Sequence, residues 1–256
     1  MTNSSNELPA GHEKNLDRWT VEPRWYKPLV VGAVQGLSTA VMRVMNTLHF
    51  HDRHLWDEAF SHEGKGVLTF SNHVSLFDDP LLIANLGRTA YPELRWIGAD
   101  DKNFFGNALK GWVYSAGKVV PLVRGGGLEQ PGFDHLLERL KLGDWVHIFP
   151  EGGRTRDPNA RLKTPFKRGI GKLIEGALPV ALPFYHYGMH QILPIGASFP
   201  KIGQQVNVYF DPPTITTPEW LSNFKAESAA ERWDQIAQWS YKALRAMEER
   251  VHPSPG

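Results

Sequence analysis

The sequence predicts an α/β fold, a mixed and largely parallel sheet flanked by helices with a helical N-terminal lead-in. Three observations carry that prediction. Six short apolar runs, rich in β-branched and aromatic residues, recur along the chain, each bounded by turn residues. Stretches of helical periodicity separate them, and strands that alternate with helices favour parallel pairing through crossovers. The polar motifs follow directly after apolar runs, where strands hand over to helices.

With 256 residues the chain is long enough for one substantial core. Its formal net charge of +1 carries no electrostatic footprint of a nucleic-acid binder. The absence of cysteine excludes disulfides, thiolate nucleophiles and cysteine zinc sites. Nine tryptophans and seven tyrosines are many for this length, and such amphipathic rings suit membrane–water interfaces as well as ordinary cores.

Residues 1–24 read as a polar, flexible arm: they contain acids and lack the apolar core of a secretory signal. Residues 25–60 read as a helical lead-in. The uncharged run from Leu29 to Met42 is shorter than the roughly 20 residues a spanning helix needs. Flanked by Arg24, Trp25, Tyr26, Lys27 and Arg43, it suits a helix lying in a membrane interface or one packed on the core. His49, His51 and His54 follow. They alternate with Leu48 and Phe50, which turns them outward from an extended segment, and they lack the helical two-histidine pattern of zinc hydrolases, so no metal site is expected.

Residues 61–256 read as one domain. Its first strand is Gly66–Ser71, and Asp79 as N-cap with Pro80 at the first helical position starts a helix over Pro80–Leu86. Strand Leu94–Gly98, helix Lys102–Ser115, strand Lys118–Val123, helix Gln130–Leu142, strand Trp145–Phe149 and helix Phe166–Glu175 follow in turn. Then come a strand over Val180–His186 and another over Gln205–Phe210. The final helix, Ala226–Arg250, carries a stripe of Trp233, Ile236, Tyr241, Leu244 and Met247 that fits core packing. The uncharged stretch from Gly176 to Pro200 holds prolines, glycines, His186 and His190, which argue against a spanning helix.

Four runs carry the chemistry. In S-N-H-V-S-L-F-D-D-P, His73 and Asp78 share a strand-to-helix turn, where a carboxylate can fold back to hold an imidazole. No serine or cysteine elbow accompanies them, so such a pair would activate a hydroxyl of the substrate. In F-P-E-G-G-R-T, Glu151 and Gly152 open a glycine turn, and basic residues including Arg154 and Lys163 accumulate after it. In V-R-G-G-G, a strand delivers Arg124 into a glycine loop. Both suit an anionic group, although a solvated basic loop accounts for most of these side chains equally well. The fourth run, bracketed by Pro179 and Pro183, is a buried strand.

In this order and spacing the runs resemble the four motifs of the glycerolipid acyltransferase superfamily. His73 and Asp78 match its His-x4-Asp, Arg124 its second-motif arginine, and Phe149 to Gly152 its F-P-E-G, continued by Arg154 and Thr155. The longer runs G-D-W-V-H-I-F-P-E-G, F-K-R-G-I-G-K-L-I and F-P-K-I-G-Q-Q-V-N-V-Y-F are similar to the tafazzin branch, which remodels cardiolipin. V-R-G-G-G and R-L-K-L-G-D-W also resemble plant relatives that acylate phosphatidylethanolamine. The Gly-Arg-Thr after F-P-E-G departs from the tafazzin pattern and fits the wider superfamily.

The resemblance implies a lysophospholipid acyltransferase or transacylase with His73 and Asp78 catalytic. Arg124, Glu151, Gly152, Arg154 and Lys163 would bind substrate, while Asn72, Asp79, Pro80 and Pro150 shape the site. Backbone N–H groups near the turn would hold the oxyanion. It implies phospholipid and lysophospholipid partners, a membrane surface and no cofactor, acyl-CoA entering only as a donor substrate. Attachment would be peripheral, to a mitochondrial membrane in a eukaryotic member or the cytoplasmic face of the inner membrane in a bacterial one. An acyl-CoA-dependent lysophosphatidic acid acyltransferase and a non-catalytic lipid-binding scaffold are the alternatives. The oligomeric state is left open.

Overall fold

In the computed structural model, residues 12–19, 24–194, 197 and 199–252 are described. The sheet is built from β1 (Thr47–His51), β2 (Val67–Ser71), β3 (Trp96–Asp100), β4 (Val119–Leu122), β5 (Trp145–Ile148), β6 (Val180–Tyr187), β7 (Gln205–Phe210) and the short β8 (Thr214–Ile215). Their order is β1-β7-β6-β2-β5-β3-β4, with β8 also beside β6. From β6 to β4 every neighbouring pair is parallel, while β7 and β8 run antiparallel to β6. The sheet is therefore mixed and largely parallel, as the alternation of elements predicts.

Helices cover both faces, and the strand pleat decides which residues meet them. Val67 and Trp145 point to a core shared with Leu81, Leu82 and Ile83 and with α3 (His54–Ala59), which contributes Trp56. Leu68, Phe70 and Val146 point to the opposite core. There they pack on α6 (Pro131–Lys141), α7 (Gly169–Ala177) and α10 (Ala229–Val251) through Leu136, Ile170, Leu173, Ile236 and Leu244. All five residues of β2 are buried, so the central strand sits between two covered faces.

Several elements differ from their sequence expectation. The helix expected over Lys102–Ser115 is two, α4 (Asp101–Phe104) and α5 (Ala108–Ala116), because Asn107 breaks the run and caps the second by accepting from the Lys110 N–H at 2.9 Å. The lead-in is not wholly helical. It contains α2 (Lys27–Thr39), continued by a π-helical turn over Ala40–Val44, and then β1, which joins the sheet edge in parallel with β7. His49 and His51 are exposed on that strand, while His54 already belongs to α3.

Residues 1–11 and 20–23 of the expected flexible arm lie outside the described residues. Residues 12–17 form α1, which is docked rather than loose. Buried Asp101 draws it in, accepting from His12 Nδ1 at 3.2 Å and Asn15 Nδ2 at 2.9 Å, while Arg18 donates to the Phe105 carbonyl at 2.8 Å. Among the described residues no helix is long and apolar enough to cross a membrane. Two short helices, α8 (Met189–Ile192) and α9 (Pro218–Leu221), complete the fold.

Candidate active site

Parallel pairing of β2 with β5 and β6 brings the ends of three strands together. Phe70 pairs with Ile148, which sets the turn after β2 beside the turn after β5. Ser71 pairs with Phe184, so β6 runs on past it and carries His186 alongside Asn72. The carboxyl ends of parallel strands are where α/β sheets collect ligands.

The turn after β2 is closed by Asp78. Its Oδ2 accepts from His73 Nδ1 at 2.9 Å, from the Val74 N–H at 2.7 Å and from the Ser75 N–H at 2.9 Å. Asp78 is fully buried. Burial alone would raise its carboxyl, but His186, His73 and the N–H donors outweigh it and hold the group below the usual carboxylate range. A charged acceptor at Nδ1 fixes the proton there and leaves the Nε2 lone pair of His73 as the base. Phe149 stacks on the imidazole, 4.0 Å between ring centroids and 11° from parallel, so the ring is held by packing as well as by Asp78.

The main chain of His73 is pinned from the second turn. Its N–H donates to Glu151 Oε1 at 2.6 Å, and its carbonyl accepts from the Thr155 N–H at 2.8 Å. The other oxygen of Glu151 accepts from the Lys163 N–H at 2.7 Å. Glu151 is fully buried, with burial pushing its carboxyl up to about 8. Both oxygens are occupied, so Glu151 does not face substrate. It is a strut between His73 and the basic loop, a correction to the expectation of a binding residue.

Gly152 also has a shaping role. Its φ of +66° is a left-handed conformation, and a Cβ there would meet Lys167 Cγ at 2.8 Å. Pro150 ends the strand and offers its carbonyl to the Lys167 N–H at 2.7 Å.

The basic residues do converge. Arg124, Arg154, Arg156 and Lys163, with Gly153 and Thr155, line a cleft of about 180 Å³. Arg124 is steered across β3 by Asp100, its Nε lying 3.4 Å from Oδ2. Gln130 braces the glycine loop that bears Arg124, accepting from the Val123 N–H at 2.8 Å and donating to the Gly127 carbonyl at 2.6 Å. Thr155 joins this cleft to His73. A larger hollow of about 360 Å³ by His51, Tyr209 and Arg250 contains none of these groups.

Two further expectations change. Asp79 is not a helix cap: the π-helical turn already begins at Asp78, and Pro80 falls within it. Asp79 instead grips buried Arg95, accepting from Nε at 2.6 Å and from Nη2, while Arg95 Nη1 donates to the Gly117 carbonyl at 2.6 Å. The N–H groups of His73, Val74, Ser75, Phe77 and Asp78 are all taken within the protein, so this turn cannot supply the expected oxyanion hole from them. Among the described residues, the N–H groups of Leu76, Gly153 and Arg154 find no acceptor.

Sequence reasoning missed His186 and the stacking role of Phe149. Asn72 and His186 are bound reciprocally: Asn72 Nδ2 donates to the His186 carbonyl, the His186 N–H to Asn72 Oδ1, both at 2.9 Å, and His186 Nε2 to the Asn72 carbonyl at 3.0 Å. Burial lowers the pKa of His186, against the opposing pull of Asp78, whose Oδ2 lies 3.8 Å from its Nε2. The H-Y-G-M-H run at a strand end was its only signal.

No hydroxyl of the described residues is bonded to the His73 ring, so the site is a carboxylate–imidazole pair beside a cleft lined by four cationic side chains. A buried carboxylate holding an imidazole in this way is suited to general-base chemistry on a hydroxyl. The family model described as Acyltransferase matches residues 51–196, and the chain belongs to the Acyltransferase family. The chain is 30% identical over 245 residues to Tafazzin of Drosophila melanogaster, covering 89% of this chain and 63% of that protein. It is 34% identical over 174 residues to N-acylphosphatidylethanolamine synthase of Arabidopsis thaliana, covering 64% and 60%. The chain thus spans less than two thirds of the length of these relatives. The crystal structure of the 1-acyl-sn-glycerophosphate acyltransferase PlsC from Thermotoga maritima superposes with a TM-score of 0.61, 16% identity and coverage of 95% of this chain and 90% of that one, which establishes the common fold.

Proposed function

We propose that the protein transfers a fatty acyl chain to the free glycerol hydroxyl of a lysophospholipid at a membrane surface. The observation that carries this reading is the His73–Asp78 pair, with His73 Nε2 unengaged among the described residues, beside a cleft of four cations. His73 Nε2 takes the hydroxyl proton as the oxygen attacks the donor's acyl carbonyl, and Asp78 stabilises the imidazolium. The N–H groups of Leu76, Gly153 and Arg154, with the nearby cations, would serve the oxyanion. Collapse of the tetrahedral adduct expels the donor's alkoxide or thiolate, which recovers the proton from His73. Arg124, Arg154, Arg156 and Lys163 hold the head-group phosphate. No cofactor takes part in these steps.

The membrane reading rests on an apolar face next to the catalytic turn. Trp25, Leu29, Leu37 and Val44 on the α2 segment are 65–82% exposed, and Leu109 on the adjoining α5 is 71% exposed. Such a surface suits peripheral attachment, to a mitochondrial membrane or to the cytoplasmic face of a bacterial inner membrane according to the host. The resemblance to the tafazzin branch and the name of the Arabidopsis relative favour phospholipid remodelling of the cardiolipin or phosphatidylethanolamine type.

The test incubates purified protein with a lysophospholipid and either labelled phospholipid or labelled acyl-CoA. Consumption of the phospholipid identifies a transacylase, and consumption of acyl-CoA the acyl-CoA-dependent alternative. His73→Ala and Asp78→Asn should each slow transfer about 10²–10⁴-fold. Undiminished transfer by folded His73→Ala overturns the mechanism, and vesicle binding without any transfer by the wild type supports a scaffold instead.

A further inference from the structure

Lys163 lies in the cleft, yet the loop that carries it, residues 156–165, has no regular secondary structure. Something other than a helix or strand must therefore fix the position of its ammonium group. Two buried carboxylates do so. The Lys163 N–H donates to Glu151 Oε2 at 2.7 Å, and the preceding Leu162 N–H donates to Glu248 Oε1 at 2.6 Å. Glu248 stands near the end of α10 and is fully buried. Its Oε2 accepts from Arg245 Nη1 at 2.5 Å. A second tie runs alongside, Arg161 Nη1 donating to the His252 carbonyl at 3.2 Å.

Successive amides of an irregular loop are thus each held by a buried acid from outside the loop. Glu151 reaches Lys163 from the turn that also pins His73, and Glu248 reaches Leu162 from the C-terminal helix. A fully buried carboxylate is costly to keep unless its bonds are made, so the Glu248–Leu162 bond is a fixed point rather than a surface contact. The Lys163 ammonium and the Arg124 guanidinium both come within 3.7 Å of a Cβ built on Gly153, so a small shift of the loop would part the two cations across the cleft.

We infer that Glu248 is a positioning residue for the head-group cleft: through the Leu162 amide, α10 sets the distance between Lys163 and Arg124, and so governs affinity for the phosphate-bearing substrate rather than the acyl-transfer step. The inference rests on the cleft being the phosphate site. It assigns α10 a part in substrate binding in addition to the core packing of its apolar stripe.

The test measures kcat and KM for lysophospholipid in mixed detergent micelles with wild type, Lys163→Ala, Glu248→Met, Arg245→Ala and the Lys163→Ala/Glu248→Met double variant. Loss of a charge-assisted bond should raise the Glu248→Met KM about tenfold, with kcat within about twofold of wild type. Lys163→Ala should raise KM comparably, and the double variant should be no worse than Lys163→Ala, since both act through one side chain. Arg245→Ala, which leaves the Leu162 bond intact, should keep the wild-type KM. An unchanged KM in Glu248→Met beside a raised one in Lys163→Ala overturns this inference alone, as does multiplication of the two effects. An unchanged KM in Lys163→Ala overturns the phosphate reading of the cleft and this inference with it. If Glu248→Met does not fold, amide hydrogen exchange of the wild type decides: slow exchange at Leu162, matching Lys163, supports the tie, and free exchange overturns it.

Discussion

Asp78 turns its carboxylate back onto the turn it closes, taking His73 and two amides, whereas Asp79 turns away to Arg95. Neighbours of one chemical type thereby serve different ends. Arg95 has 7% of its side chain exposed, so its charge depends on Asp79 and on the Gly117 carbonyl for compensation. Asp79→Asn leaves a buried guanidinium without its counter-charge, a loss of about 3 kcal/mol or somewhat less given that Asp79 is partly exposed. The expected outcome is a lower urea midpoint with kcat largely preserved, and equal loss of turnover in folded Asp79→Asn and Asp78→Asn would show that the division is wrong. The His73–Asp78 pair is legible in the sequence because both residues belong to one short turn. The partners of Glu151 are not, since a bond to a distant backbone amide leaves no mark on residue identity. His186 is hidden for a related reason: only the register of β6 against β2 brings it to Asp78.

At the scale of elements, the central strands are legible because burial on both faces demands continuous apolar runs, and β7 follows its predicted bounds, Gln205–Phe210. The strand β1 is not read as part of the sheet, since its alternating exposed histidines match an edge strand and an extended loop equally well. The two readings of α2 prove compatible. Val31, Ser38, Val41 and Met42 along the segment are buried, and Ser38 donates to the Leu81 carbonyl at 2.9 Å, tying the helix to the element that starts at Asp78. The opposite side keeps Leu29 and Leu37 exposed at 65% and 68%. A membrane-facing role for that side predicts that Leu29→Asp/Leu37→Asp weakens binding to phospholipid vesicles about tenfold or more, since each leucine contributes about 1.5–3 kcal/mol when buried. Sedimentation with vesicles measures this. The same variant should keep its thermal midpoint and its transfer to a short-chain, monomeric lysophospholipid. Unaltered vesicle binding would remove α2 from the interface.

Across the described residues five histidines, His147 and His186 fully buried and His135, His190 and His252 partly so, have pKa values lowered by burial, and this sets the response to acid. His147, on the strand beside the His73 turn, is fully buried, and burial puts its pKa well below the ordinary value. Ser71 Oγ donates to the Asn72 carbonyl and so receives His147 Nε2–H, which leaves Nδ1 to accept from the Thr69 hydroxyl at 2.8 Å, while Thr69 Oγ1 accepts from Trp145 Nε1 at 2.8 Å. Protonation of Nδ1 would break that chain. Burial also lowers His186, His190 and His252, and it lowers His135, edge-on to Trp19 and Trp96, to about 4. In each case the unfolded chain takes its proton near the ordinary value of about 6.5 while the folded chain does not. The unfolded state then binds more protons, so stability rises with pH from the folded pKa up to that value and falls on acidification. Glu151 opposes this, because a carboxyl raised to about 8 binds its proton more tightly in the fold and lowers stability as pH rises from 4.5 to 8. One group acts against five, and Asp78, held below 3.8, adds its own loss only at still lower pH. Urea titrations followed by tryptophan fluorescence should therefore give a lower midpoint at pH 5 than at pH 6.5. His135→Phe, which preserves the aromatic contacts and removes the titrating group, should reduce that difference. An equal or higher midpoint at pH 5 would mean that Glu151 dominates the histidines.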